Sequence, residues 1–519
     1  TVDTEHMKVK GDMRTNAKTL FDKFIGKQDI SLLYQKIKFS EEELDFILLE
    51  IFNGEEILNS DNTILNEDVL IDLEVFNGLG TDRENSIYSG INKCKTQVGS
   101  FLLQKILNNP VNDTNILRKR QSMIKRLETH ENIEEIKNKL DRIKENENDI
   151  LNLWKTLDNE SKNLYDMVYF ENRFLKFFNK NELVLRLYNY YVIIFSPIYG
   201  ILTPILMVLS PFIMIKFYFK KEISFRLYFR LLRVALSGFS NIFKVSKDMK
   251  GLSDKIGMGQ MVTLLLWLVF YLHALFSNME LAKNTNKITN IIHEKLNKIS
   301  ILVREGHNLN DLLGDEVEGY SKIVDYKVDK NFGILWDKIF EEKPSLFSNK
   351  GRVLKTFKCL QERKENLIDL LKSIGNIDYY VGLVDLKKNY ENTSNKYCYP
   401  EYLELEKPVI MVDNLWYPLL KNKVVTNSIN IGGDMPHNAI ITGPNAGGKS
   451  TFLKSLTLNL LFAQTIGICS SENLRFTPFS IINTYLNIPD CKGKESLFEA
   501  EMRRSLGHIN KLNNLNKKD

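Results

Sequence analysis

Residues 443–450 read Gly-Pro-Asn-Ala-Gly-Gly-Lys-Ser, which fits G-x-x-x-x-G-K-[S/T]. The pattern has a direct physical meaning. Glycines let successive backbone N–H groups converge on phosphate oxygens at the positive end of the helix that follows. Gly443, Pro444, Asn445, Ala446, Gly447 and Gly448 would form the cradle. Lys449 would reach the β- and γ-phosphates, Ser450 would place its hydroxyl on Mg²⁺, and Thr451 would support the same turn. ATP and magnesium are the expected ligands.

The elements that must position this loop are legible on both sides. Ala439-Ile440-Ile441 is a short apolar run that predicts a strand, and Thr451 to Leu461 carries a helical pattern. From about residue 397 onward, short apolar runs alternate with turns, as in an α/β domain. A P-loop ATPase also needs a later strand ending in acidic residues to hold magnesium and polarise water. After Ile481–Leu486 the chain offers a helical stretch and stops at Asp519. The expectation is a nucleotide-binding sheet incomplete at its C-terminus, which could bind nucleotide but hydrolyse it poorly, if at all. Thr1 in place of Met suggests a fragment at the other end too.

Further toward the N-terminus the patterns are helical. Ser40 and Glu43 have capping-box spacing. Glu131 to Glu147 reads as a solvated, charged helix face, and Leu354 to Leu371 as one amphipathic helix. Between these lie two runs without a charged residue, Leu187 to Ile215 and Ile256 to Met279. Each exceeds the roughly 20 residues that cross a bilayer as a helix. Prolines at 197, 204 and 211 would kink or divide the first. Buried core helices are the plainer alternative. Residues 216–255 between the runs hold ten Lys/Arg and three Asp/Glu. Two simple spans would put that basic loop opposite the nucleotide domain, against the positive-inside tendency. A re-entrant Pro-rich hairpin, or runs lying in the interface, would resolve the conflict.

Bulk properties narrow the classes further. The chain has 519 residues, 43% hydrophobic and 26% charged, enough for about three to four domains with real cores. A net charge of +5 is too mild to argue for nucleic acid. Five cysteines without a C-x-x-C pair, and scattered histidines, point away from a zinc site or disulfide framework and toward a reducing compartment.

Ile441 to Thr451 resembles the Walker A segment of the MutS family, ITGPNMGGKST, with Ala446 the single departure. Tyr417-Pro418-Leu419, Val425-Thr426-Asn427 and Ala463-Gln464-Thr465-Ile466-Gly467 resemble that family's HP(L/V), V-x-N and AQxG segments. Asp490 to Met502 is similar to its D-x5-S-T-F-x-x-E-M signature. There Ser496 would reach in trans to the partner's γ-phosphate, and Glu501 matches the signature glutamate. Leu73-Glu74-Val75, Thr96-x-x-Gly99, Arg120-Gln121, Asp378 and Tyr397-x-x-Pro400 resemble stretches of its core domain in the right order.

The resemblance implies a multidomain chain: an all-α core and lever region followed by an ABC-type α/β P-loop ATPase domain. Its expected layout is a helical segment 1–70, a first core half 71–186, an apolar insertion 187–279 at the clamp position, a second core half 280–396 and a partial ATPase domain 397–519. About 70 residues precede the core, too few for a mismatch-reading domain and connector. Phe39-Ser40-Glu41 fits that domain's Phe-x-Glu wedge but reads more simply as a helix start. The implied activity is ATP hydrolysis by a homodimer, with Lys449 and Ser496 catalytic, acting on double-stranded DNA in mismatch repair or a related transaction. The alternative is a membrane-anchored ATPase of the same type, held through 187–279 with the ATPase domain on the cytoplasmic side. Intact Lys449 and Ser450 argue against a scaffold with a vestigial site. An intracellular location suits both active readings.

Overall fold

A computed structural model describes residues 38–53, 64–65, 67–78, 83–156, 158–231, 255–313, 340–342, 349–420, 424–486 and 497–515. The chain divides into two compact units, each drawn from separated stretches. One takes Thr156–Asn297 and Lys330–Glu362, the other Ile37–Lys155, Lys298–Asp329 and Arg363–Asp519, with Thr1–Lys36 counted with the first.

The second unit begins with α1 (Glu41–Ile51). Its capping box is formed: the Glu43 N–H donates to Ser40 Oγ, and the Ser40 N–H to Glu43 Oε2, both at 3.1 Å. This supports the helix-start reading of Phe39-Ser40-Glu41. After α2 (Glu67–Asp72) and α3 (Ile87–Ile91) come α4 (Gln97–Asn108), α5 (Thr114–Glu128) and α6 (Ile133–Leu151). Thr96 caps α4 by accepting the Gly99 N–H at 3.0 Å. Val98, Phe101, Leu102 and Ile106 recur at helical spacing on α4 and are buried. α6 turns Ile136, Leu140, Ile143 and Ile150 inward. Its charged run is only partly a solvated face. Glu147 is buried, and its carboxylate accepts the Gln97 and Val98 N–H groups at 2.8 and 3.0 Å.

Within the first unit, α7 (Asn159–Asp166) is followed by α8 (Glu182–Tyr190) and α9 (Ser196–Ile213). π-helical turns at Tyr191–Phe195 and Met214–Tyr218 make 182–218 one continuous helical path. The prolines do not divide it. Pro197, Pro204 and Pro211 all lie inside this path, each removing one N–H from its hydrogen-bond ladder, and π-turns flank α9 on both sides. The long helix α10 (Lys255–Leu313) runs antiparallel to this path over its first-unit residues. Thr289 Oγ1 meets Asn189 Oδ1 at 3.4 Å, and a Cβ on Gly200 would lie 3.3 Å from Asn278. α11 (Lys350–Glu362) packs on α8 so closely that a Cβ on Gly351 would fall 2.2 Å from the Glu182 carbonyl. Among the described residues of the two charge-free runs most large apolar side chains face outward, from Tyr191 and Phe195 through Ile205 to Trp267 and Phe270, while Asn189 and Val192 are buried. They are not the buried core helices of the plainer alternative.

Leu354 to Leu371 is not one helix. α11 ends at Glu362, a 3-10 turn spans Lys364–Leu367, and α12 (Ile368–Asn389) follows. The tighter turn keeps Leu360, Leu367 and Leu371 all buried, so the apolar period passes through a real break.

α12 packs on α4, and Asp378 points into the N-terminus of α4. Its carboxylate accepts from the Lys95 N–H at 2.9 Å, the Thr96 N–H at 2.7 Å and Thr96 Oγ1 at 2.6 Å. Thus two buried carboxylates, Glu147 and Asp378, satisfy the N-terminal N–H groups of α4 and its capping turn.

A small mixed sheet completes this unit: β1 (Glu401–Tyr402), β2 (Val409–Leu415), β3 (Asn427–Gly432) and, after helix α13 (Lys449–Thr465), β4 (Asn473–Phe476). The order is β1-β4-β2-β3, with β2 antiparallel to β3 and β4, and β1 parallel to β4. The expected strand at Ala439–Ile441 is not formed. Residues 438–444 join no strand pair, and Ile440 is 92% exposed. No strand among the described residues runs beside it to accept its ladder bonds. Ile481–Leu486 contributes only a bridge, Ile482 to Leu65. α14 (Leu497–Leu515) is the last described element.

Candidate nucleotide site

The loop before α13 is shaped by backbone conformation. Gly448 is the N-cap of α13 with φ +83°, in the left-handed region where L side chains are strained. Ala446 also has a positive φ, 62°. Between them, a Cβ on Gly447 would lie 2.9 Å from the Pro444 carbonyl. The Gly447 N–H closes the turn on that same carbonyl at 3.1 Å, and the Phe452 N–H on Gly448 O starts the helix at 2.8 Å.

α13 therefore opens without a side-chain cap and without an acidic residue in its first turn. Its leading N–H groups face the loop as an unneutralised positive end. Lys449 adds a full charge. Its ammonium donates to Gly443 O at 2.8 Å and Pro444 O at 2.7 Å, folding back across the loop. Ser450 is exposed beside it and Thr451 is half-buried. Residues 443–451 thus come together as a cationic, solvent-facing loop suited to an oxyanion. Ser450 can offer a magnesium ion one oxygen; phosphate oxygens and water would supply the rest, as suits an ion that keeps its waters. Ser496 lies outside the described residues. Glu501 is half-buried on α14.

α13 is anchored at both ends. In its second turn Lys454 donates to Glu74 Oε1 at 2.7 Å, both side chains 14% exposed. Glu74 holds a left-handed backbone, φ 55°, right after α2. At the far end Gln464 is fully buried. Its amide donates to Val111 O at 3.1 Å and Phe479 O at 2.9 Å, and its oxygen accepts the Phe479 N–H at 2.9 Å. Arg120 donates to Thr465 O, Gln121 donates to Pro400 O at 2.7 Å, and Gly467 turns the chain at φ +75°. The helix behind the loop is thus fixed against α2, α4 and α5.

A second junction forms around Asp72, which accepts from Thr484 Oγ1 at 2.6 Å, from the Leu486 N–H at 3.2 Å and from Arg504 of α14. Sequence spacing did not single out Lys454, Asp72 or Arg504. Each is defined by a partner hundreds of residues away, and only the Leu73-Glu74-Val75 resemblance touched this region.

Comparison with known families matches residues 68–190 to MutS domain III. Among similar curated proteins, DNA mismatch repair protein MSH3 of Debaryomyces hansenii is 33% identical over 120 residues, 20% of this chain and 12% of that protein. DNA mismatch repair protein MutS of Synechocystis sp. is 27% identical over 157 residues, 29% of this chain and 17% of that protein. Endonuclease MutS2 of Lactobacillus helveticus is 30% identical over 161 residues, 30% of this chain and 19% of that protein. The chain therefore matches less than a fifth of each relative's length. The domain III match covers the described helices from α2 through α8, which include those that anchor the loop-bearing helix, and together with these relatives it supports a divergent MutS-family protein.

Proposed function

We propose that this chain binds ATP with Mg²⁺ at residues 443–451 and works as the nucleotide-responsive part of a MutS-type homodimer in DNA mismatch repair or a related DNA transaction. The observation that carries the reading is the loop itself. Left-handed Gly448 and the bare N-terminus of α13 present N–H groups and Lys449 to one point. The anchoring of α13 on α2, α4 and α5 supports the further reading that nucleotide occupancy is sensed by the helical core. Lys449 would leave its two carbonyls for the β- and γ-phosphates, Ser450 would ligand magnesium, and Ser496 of one protomer would complete the partner's site.

Titration with a fluorescent ATP analogue and Mg²⁺ tests this. Lys449→Ala is expected to weaken binding at least 100-fold, whereas Ser496→Ala leaves binding intact and lowers hydrolysis by the dimer of a form extended to carry the later acidic strand. Unchanged affinity in Lys449→Ala overturns the site. Unchanged hydrolysis in Ser496→Ala overturns its role in trans.

A second reading is favoured by one observation, the outward-facing apolar side chains of 187–218 and 265–281. It is a membrane-anchored ATPase of the same type, with the nucleotide site on the cytoplasmic side.

A further inference from the structure

Cys398 and Cys469 stand directly opposite each other in an isolated antiparallel bridge. Each accepts the other's N–H, both at 2.9 Å. Residues that exchange both bonds in this way have Cα atoms about 5.5 Å apart, inside the range that a disulfide spans, and present their side chains on the same face. The side chains follow that rule. Cys398 Sγ lies 3.3 Å from Ser471 Oγ, and residue 471 shares a face of its extended segment with Cys469, two residues earlier. Both cysteines are thiols in this structure.

The spacing suits a reversible bond better than a permanent one. Cβ atoms of a hydrogen-bonded antiparallel pair are about 5.5 Å apart, whereas a relaxed disulfide holds them within about 4.5 Å. Closing the bond therefore draws the two segments together by about 1 Å. A disulfide closed over too wide a gap is strained and readily reduced, which is the character of a regulatory bond. Access sets an order of events: Cys398 is partly exposed and Cys469 is fully buried. Burial holds both thiols above their usual range, Cys469 the more, so thiolate is scarce and oxidation is slow.

Cys469 is also tied to the loop-bearing helix. Its Sγ donates to the Asn459 carbonyl of α13 at 3.5 Å, and its neighbour Ser470 accepts from Asn459 Nδ2 at 3.1 Å. Asn459 is fully buried. Trp416 joins both cysteine segments, its N–H donating to Ser470 O at 2.9 Å and its Nε1 to Lys396 O at 3.2 Å. Turning Cys469 Sγ toward Cys398 removes its bond to Asn459. The accompanying approach of the segments pulls on Ser470, and through it on the helix that begins at the 443–451 loop.

We propose that Cys398 and Cys469 are a redox pair that hydrogen peroxide converts to a reversible disulfide, and that this bond shifts α13 and weakens the nucleotide site. The Cys398 thiolate attacks one peroxide oxygen, the O–O bond breaks and hydroxide leaves, giving a sulfenic acid. The Cys469 thiolate then attacks the Cys398 sulfur, the S–S bond forms and a second hydroxide leaves. The two protons released by the thiols turn both hydroxides into water. Two thiols are oxidised and one peroxide is reduced; a dithiol reverses the change by exchange. Only the consequence for ATP rests on the nucleotide reading; the disulfide itself does not.

The test treats the full chain with hydrogen peroxide, blocks remaining thiols with iodoacetamide, digests without reductant and maps the peptides by mass spectrometry. The expected result is a peptide pair linked through Cys398 and Cys469 that dithiothreitol separates. In parallel, the fluorescent ATP analogue is titrated with Mg²⁺ before oxidation, after it and after reduction. Oxidation should weaken binding by about tenfold, since a phosphate cradle tolerates only about 0.5 Å of displacement, and dithiothreitol should restore it. Cys398→Ser, which keeps a hydroxyl beside Ser471, should bind ATP as the parent does and lose the response to peroxide. Absence of the linked pair overturns the proposal, whatever the ATP result. A linked pair with unchanged ATP affinity overturns the effect on the site and leaves the disulfide standing. A response to peroxide that persists in Cys398→Ser assigns it to another residue and overturns the pair as its cause. A reduced chain that binds no ATP overturns the nucleotide reading, and the peptide map then decides the disulfide alone.

Discussion

Gly99 is in the first turn of α4, and a Cβ built on it would lie 2.3 Å from Asp378 Oδ2. In Gly99→Ala the carboxylate must retreat by about 1 Å to reach ordinary contact. Its bonds to Lys95 N, Thr96 N and Thr96 Oγ1, at 2.6–2.9 Å, then stretch beyond hydrogen-bond length. Losing a charged, buried acceptor from several donors costs about 3–5 kcal/mol. Alanine's better helix propensity returns about 1 kcal/mol. The net expectation is a destabilisation of about 3 kcal/mol, read as a lower urea midpoint with unchanged slope at pH 8, followed by the fluorescence of buried Trp154 and Trp416. The mechanism also predicts strong non-additivity. In an Asp378→Ala background the clash is gone, and Gly99→Ala should become neutral or stabilising by up to about 1 kcal/mol. A Gly99→Ala protein within about 0.5 kcal/mol of the parent, or equal costs in both backgrounds, refutes the reasoning.

Burial pushes Asp378 up to about 6 and Glu147 up to about 7, each from an ordinary carboxylate value and against the backbone N–H groups it accepts. Both folded-state values are raised, so their contribution is fully present below the unfolded-state values and is lost as pH rises through about 6 and about 7. The urea midpoint should fall between pH 5.5 and pH 8, and Glu147→Gln should flatten the upper part of that decline. A midpoint that rises over this range contradicts the sign. At Glu74, removing the carboxylate strands a mostly buried Lys454, so Glu74→Ala should cost about 2–3 kcal/mol. Because φ there is 55°, Glu74→Gly should be the more stable of the two by about 1 kcal/mol in the same urea titration. Equal stabilities would mean that the left-handed backbone relaxes freely.

The capping box at Ser40, the Thr96 cap and the glycine pattern of 443–448 were legible because each is a local arrangement whose partners lie within a few residues. The two charge-free runs were legible as apolar, but composition leaves open whether such helices face a core or face outward. Packing settled it here, with Leu265–Phe270 exposed. The strand expected at Ala439–Ile441 failed for a related reason: a strand is defined by its neighbour, and none of the described strands stands beside it. The helix expected from Leu354 to Leu371 failed because a 3-10 turn preserves the apolar face that the periodicity reports.

Sequence by itself set the expectation for the loop's chemistry and determined the family resemblance and the apolar character of the insertion, since residue type and short spacing carry them. Only the tertiary structure decided which side chains hold the loop-bearing helix and the helices around it in place. Glu74 with Lys454, Asp72 with Arg504, and Asp378 in the room left by Gly99 are pairs that the chain brings together across hundreds of residues. An ion pair or a close approach of that kind leaves no periodic trace in the sequence, because its energy depends on distance in space and on exclusion of water.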